Sequence, residues 1–143
     1  MFHIYITSDH AGCSLKEQLI LELSPNKNYI ITDLGPFNDN RCDYPDYAKK
    51  LVNEMKETIM KTFGIVICGT GIGMSIACNR FSFIRCALCH NQVTAMMTRK
   101  HNDANVLALG ARILDKETSL SIVNTFLQTE FEGGRHIDRI NKL

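Results

Sequence analysis

Apolar residues in this chain fall into short blocks separated by stretches of helical spacing, and the alternation runs from one end to the other. Ile4 to Thr7 reads as a first strand. Leu15, Leu19, Ile20 and Leu23 then share one helical face, which Pro25 ends. Ser14 and Glu17 have the spacing of a capping box, which predicts the helix start at Ser14. Tyr29 to Leu34 is a second strand. Tyr44-Pro45 opens a long helix, since proline is tolerated in the first turn, and Ala48, Leu51, Val52, Met55 and Ile59 recur along one face.

Ile65 to Cys68 is a third strand, apolar on both faces as a buried parallel strand should be. A glycine-rich turn leads from it into a helix over Met74 to Asn79. Ile84 to Cys89 and Asn105 to Leu109 supply two more strands around a helix near Val93 to Arg99. Lys116 to Thr129 is a further helix, and a last one follows Gly133-Gly134. Strands interleaved with helices in this way predict an α/β fold with a five-stranded parallel sheet. In such sheets ligands bind beyond the carboxyl ends of the strands. The places to search are therefore Ser8 to His10, Cys68 to Ser75, His90, and Gly110 to Arg112.

The bulk properties narrow the function. A chain of 143 residues suits a single domain over residues 1–143, without a repeat or a Pro/Gly/Ser linker to divide it. A net charge of +1, with Lys and Arg spread along the chain, gives no footprint for nucleic acid or a membrane surface. The N-terminus has no basic segment followed by a long apolar stretch, so a cytoplasmic protein is expected. In that compartment the six cysteines are expected as thiols.

Ile67-Cys68-Gly69-Thr70-Gly71-Ile72-Gly73-Met74-Ser75 is the strongest local signal. Glycines at alternate positions bare the main-chain N–H groups, and a helix N-terminus adds partial positive charge, which suits a phosphate or a developing oxyanion. The spacing is neither the dinucleotide pattern nor a Walker loop. Its plain alternative is a tight strand-to-helix turn. Cys68 ends the strand where the field of the helix favours a thiolate, so it is a candidate nucleophile or base; a buried apolar filler is the other reading.

Other candidates follow the same rule. Asp9 and His10 end the first strand and offer a hydroxyl acceptor and a phosphate donor, or a helix cap. His101, in Lys100-His101-Asn102-Asp103, is a candidate acid/base or a plain surface residue. Arg135 and Arg139 share a helical face, where a bound dianion would relieve their repulsion; a solvated basic face is the alternative. Cys86-Ala87-Leu88-Cys89-His90 has the outline of a haem-attachment motif, but it reads as a buried strand. No second ligand pair stands at zinc spacing, so no metal and no cofactor are expected.

Taken in order, Ser8-Asp9-His10-Ala11-Gly12, Asp43-Tyr44-Pro45-Asp46-Tyr47-Ala48, Cys68-Gly69-Thr70-Gly71-Ile72-Gly73, Arg99-Lys100-His101-Asn102-Asp103-Ala104-Asn105 and Glu132-Gly133-Gly134-Arg135-His136 resemble the ribose-5-phosphate isomerase B family. That family also includes galactose-6-phosphate and allose-6-phosphate isomerases. The resemblance implies a Rossmann-like three-layer sandwich, a metal-independent aldose–ketose isomerisation of a small sugar phosphate, and a homodimer, or a tetramer, with active sites at the subunit interface.

It also implies roles. Cys68 would be the proton-moving base, with Thr70 beside it and Gly69, Gly71, Ile72 and Gly73 forming the anion loop. His101 would open the sugar ring. Asp9, Tyr44 and Asn102 would contact the sugar, and His10, Arg112, Arg135 and Arg139 would clamp the phosphate. His101, Asn102 and Arg112 are expected from the partner subunit. Some branches of the family use a Glu in the helix after the glycine turn; here that stretch reads Met74-Ser75-Ile76-Ala77, so Cys68 stands alone. The rival readings are a six-carbon sugar-phosphate isomerase, a phosphosugar-binding protein without catalysis, and a thiol redox protein using Cys86 and Cys89.

Overall fold

The computed structural model describes residues 1–58 and 61–143; Ile59, expected on the face of the long helix, lies outside them. Five strands, β1 (Phe2–Ser8), β2 (Tyr29–Asp33), β3 (Thr62–Cys68), β4 (Cys86–Leu88) and β5 (Val106–Gly110), form one sheet in the order β2-β1-β3-β5-β4. Every pairing is parallel. The helices are α1 (Cys13–Leu23), α2 (Tyr44–Glu57), α3 (Ile72–Cys78), α4 (Gln92–Asn102), α5 (Lys116–Gln128) and α6 (Arg135–Ile140).

The period of two along the central strands assigns each side chain to a layer. Ile4, Ile6, Phe63, Ile65, Ile67, Leu107 and Leu109 face α1 and α5, against Leu15, Leu19, Ile122 and Phe126. Tyr5, Val66, Cys68, Val106 and Ala108 face the other way, onto Leu51, Val52, Met74 and Cys78 of α2 and α3. Both faces of the sheet are thus covered, which is what apolar residues at successive strand positions require. The result is the expected three-layer α/β sandwich.

Two local expectations need correcting. The helix start is not a capping box at Ser14, because the chain enters α1 through a tight turn at His10–Gly12. The Asp9 carboxylate caps that turn by accepting the N–H groups of Ala11 and Gly12 at 2.9 and 3.2 Å. Gly12 is therefore the residue ahead of α1, and Ser14 is already inside the helix and exposed. The fourth strand, expected over Ile84 to Cys89, keeps only Cys86–Leu88 in the ladder. The Asn79 side chain bonds both the N–H and the C=O of Cys86, the first residue of that strand, at 2.8 Å.

The strand order places β1 and β3 side by side, with Ser8 opposite Ile67. Connections leave in opposite directions from this pair, so a crevice opens beyond its carboxyl ends. Asp9 and Cys68 stand at that crevice.

Candidate active site

The loop after β3 is fixed by main-chain bonds. Ala111 N–H donates to Cys68 C=O at 2.8 Å and Arg112 N–H to Gly69 C=O at 2.9 Å, so the end of β5 holds the start of the loop. Asp9 N–H donates to Ile67 C=O at 3.0 Å and ties the end of β1 to the same place. Gly71 turns the chain with φ of +78°, a conformation costly for any residue with a Cβ. That turn aims its N–H at Cys68 Sγ, 3.1 Å away. Ile72 N–H points at Thr70 Oγ1, 3.3 Å away.

Three further side chains stand at this end of the sheet. A Cβ on Gly73 would lie 2.7 Å from Cζ of Tyr44, so the glycine lets the phenol rest on the loop. His10 Nδ1 lies 3.3 Å from the main chain of Cys42, which fixes the ring and leaves Nε2 for a ligand. Arg112 extends along Gly69, its Nη1 3.2 Å from where a Cβ would stand. Arg112 thus lies against the loop of its own chain, and its main-chain N–H is bonded to the same residue. Asp9, 7% exposed, spends Oδ1 on its cap and keeps Oδ2 for the crevice, so the cap and ligand readings of this residue are compatible. Ser8 Oγ, buried beside it, has no hydrogen-bond partner among the described residues.

The remaining candidates gather elsewhere. His101 and Asn102 end α4, and Asn105, a few residues on, accepts the N–H of Gly64 at 2.9 Å. Gly64 precedes Cys68 by four strand residues, about 13 Å of rise. His101 and Cys68 of one chain therefore sit towards opposite ends of the sheet. At the His101 end, Arg99 donates to Asp103 Oδ1 at 2.8 Å and Ala104 C=O at 2.6 Å, and Arg85 Nε donates to Asn102 C=O at 2.9 Å. These bonds hold the end of α4 rigidly. Arg139 joins His101, Asn102 and His136 around a cavity of about 280 Å³, and Arg135 lies exposed one turn earlier on α6.

His136 and Glu132 were not singled out from the sequence, and both touch His101. The two imidazoles stack at 4.3 Å, and Glu132 Oε2 lies 3.8 Å from His101 Nε2. The quoted segment Glu132-Gly133-Gly134-Arg135-His136 contained them, but only packing of α6 on α4 reveals what they face.

The thiol redox reading loses support. Cys86 and Cys89 belong to the short edge strand and its end, two strands from Cys68. A hydrogen bond with Cys78 and then burial hold the Cys86 thiol well above its ordinary range, and burial pushes Cys89 up to about 11. Neither is a ready thiolate. His90 lies exposed just beyond the same edge strand. No helix among the described residues is long and apolar enough to cross a membrane.

Known proteins resemble this chain along almost its whole length. A Rickettsia bellii protein whose name goes only as far as sugar phosphate isomerase is 49% identical over 142 residues, covering 99% of this chain and 97% of that protein. The Escherichia coli protein named ribose-5-phosphate isomerase B is 38% identical, over 94% of this chain and 89% of its own length. The crystal structure of a Thermotoga maritima ribose 5-phosphate isomerase superimposes with a TM-score of 0.93 at 46% identity, covering 98% of this chain and 95% of that one. A Mycoplasma genitalium structure with bound ribulose-5-phosphate gives 0.93 at 41% identity, over 99% and 93%. The profile of the family described as Ribose/Galactose Isomerase matches residues 4–143, and the chain belongs to that family.

Proposed function

We propose that the chain interconverts ribose 5-phosphate and ribulose 5-phosphate at a site completed by a second copy of itself. The observation that carries this reading is the Gly71 N–H set 3.1 Å from Cys68 Sγ at the crevice between β1 and β3, with Asp9, Tyr44 and Arg112 around it. His101 of the partner copy donates a proton to the ring oxygen and accepts one from the anomeric hydroxyl, which opens the furanose. Cys68 takes the proton from carbon 2 and returns one to carbon 1, while a hydroxyl proton passes from oxygen 2 to oxygen 1.

Negative charge builds on oxygen in the enediolate between these steps. The N–H groups of Gly69 to Gly73 are fixed before reaction and meet that charge without reorganising; one such donor is typically worth about 3 kcal/mol. Thr70 and Ile72 belong to this loop, and Asn102 and Asp9 hold the sugar hydroxyls. His10, Arg112, Arg135 and Arg139 take the phosphate. Its binding energy then serves to orient the reacting carbons.

Two facts support a shared site. His101 and Cys68 of one chain are too far apart to act on one small sugar. Ile72 and Ile76, four apart on α3, are 51% and 60% exposed beside the loop, an apolar stripe suited to a second copy. Proton NMR in heavy water, with ribose 5-phosphate and allose 6-phosphate as substrates, tests the reaction. Turnover of the ribose ester is the expected result, with deuterium entering at carbon 1 of the ribulose ester and, through the reverse reaction, at carbon 2 of the ribose ester. Turnover of the allose ester alone reassigns the substrate, and binding of both without turnover leaves only a phosphosugar-binding protein.

A further inference from the structure

The α4–α6 corner holds chemistry that the isomerisation does not use. His136 is 4% exposed, yet its Nε2 is buried with no hydrogen-bond partner among the described residues. A buried polar atom left unpaired costs stability, so a site that supplies a partner is favoured. Glu132 and His101 each bring one ligand atom to the same spot, and the three atoms lie within 4.8 Å of one another. Among the described residues this is the one such grouping of His, Cys, Asp and Glu.

We propose that His101, Glu132 and His136 form a binding site for a divalent transition metal of the zinc class, and that the metal switches the enzyme off. Two imidazoles and one carboxylate suit zinc, cobalt or nickel, and do not suit calcium or magnesium, which take oxygen cages. Bond lengths near 2.1 Å in a tetrahedral site set ligand atoms about 3.4 Å apart. The existing separation of 3.8 Å between His101 Nε2 and Glu132 Oε2 is close to that edge. The rest of the closure falls to the less packed partners: the side chains of His101 and Glu132 are 38% and 50% exposed, while His136 is buried in the packing. His101 has to tilt out of its stack on His136, because in-plane lone pairs of parallel rings do not converge.

The chain segments are already locked together for this. Glu132 N–H donates to Lys100 C=O at 3.1 Å, so the carboxylate is hung directly on the last turn of α4. Three protein ligands leave a fourth position open, towards the cavity that Asn102 and Arg139 also line. A metal there occupies the His101 nitrogen that would otherwise move protons. The off-switch rests on the ring-opening reading of His101; the metal site does not.

The experiment uses the intact protein and cobalt as the probe, with zinc as competitor. One Co²⁺ per chain is expected, with visible bands of nitrogen and oxygen ligation, no thiolate-to-cobalt charge transfer, and displacement by Zn²⁺. Glu132→Gln, at an exposed position, should weaken cobalt binding about ten-fold or more without altering the circular dichroism, and His136→Asn should do likewise. Unchanged affinity in the Glu132→Gln protein, or a thiolate band at the first equivalent, overturns the site. Activity is the second readout. One equivalent of Zn²⁺ should stop wild-type turnover, a chelator should restore it, and Glu132→Gln should resist the same zinc. Zinc bound in a Glu132-dependent way with turnover unaffected upholds the site and removes His101 from ring opening.

Discussion

At the carboxyl end of β3, what faces the crevice is mostly main chain: N–H groups of a glycine loop, held by hydrogen bonds from the ends of β1 and β5, with one thiol among them. At the α4–α6 corner it is entirely side chain: His101, Asn102 and Arg139, supported by the guanidinium groups of Arg85 and Arg99. The first region is preorganised because its donors cannot rotate away. The second depends on the docking of a six-residue helix, and its groups stay partly exposed. Charge stabilisation needs the first kind of construction, since a donor that must reorganise at the moment of reaction contributes less. In the proposed reaction, proton shuttling and phosphate capture tolerate the second.

The sharpest way to break this contrast is to remove the thiol. Cys68→Ala should lower kcat about 10²- to 10⁴-fold while phosphosugar binding, measured calorimetrically, stays close to wild type. Near-normal turnover would take Cys68 out of the chemistry and leave the loop as an anion cradle alone.

Mixing two dead proteins tests whether the regions meet across an interface. Cys68→Ala and His101→Ala, allowed to exchange subunits, form hybrids in which one site carries both lesions and one carries neither. Half the dimers are hybrids under random pairing, so roughly a quarter of wild-type activity should return. Exchange demonstrated by mass spectrometry with no recovered activity would argue against a shared site.

A pair of glycine substitutions compares the rigidity of the two regions. Gly71→Ala places a Cβ 2.6 Å from Leu88 and 2.9 Å from the main chain of Leu109, at a φ of +78°. Backbone strain alone costs about 1–3 kcal/mol, and the clash adds to it. Gly134→Ala, with φ of +57°, meets no atom within 4 Å, so only the strain remains. Urea midpoints should therefore fall further for Gly71→Ala, with activity falling alongside because the N–H leaves Cys68. A larger loss at Gly134 would reverse the assignment of rigid and docked regions.

The smallest effect belongs to the exposed arginine. Arg139→Ala should raise KM by roughly ten-fold or less with kcat nearly kept, since an anchor holds ground and transition states alike. Steady-state kinetics checks this, and a fall in kcat with KM unchanged would move Arg139 from the anchor to the reaction.

Much of this was legible along the chain. The short apolar runs of β1, β3 and β5 and the helical spacing of α2 follow from which residues bury apolar surface, so element type and the parallel sheet were legible in the sequence. The strand-turn-helix at Cys68 was legible too, because alternate glycines have local consequences. The capping box failed for a local reason of another kind: Asp9 offered its carboxylate one turn earlier than Ser14 could.

What only the tertiary structure decided is where separate segments meet. Nothing in the spacing of Arg112 reveals that β5 delivers it onto Gly69 of the same chain, or that Tyr44 lies on Gly73. Nothing local sets His136 against His101, or puts His101 and Cys68 towards opposite ends of one sheet. Those relations depend on strand order and on which helix packs where, and both are settled by the sum of many buried contacts. The sequence determined the chemistry each segment could offer, because side-chain type and backbone freedom are local properties; the fold decided which of those groups could act together.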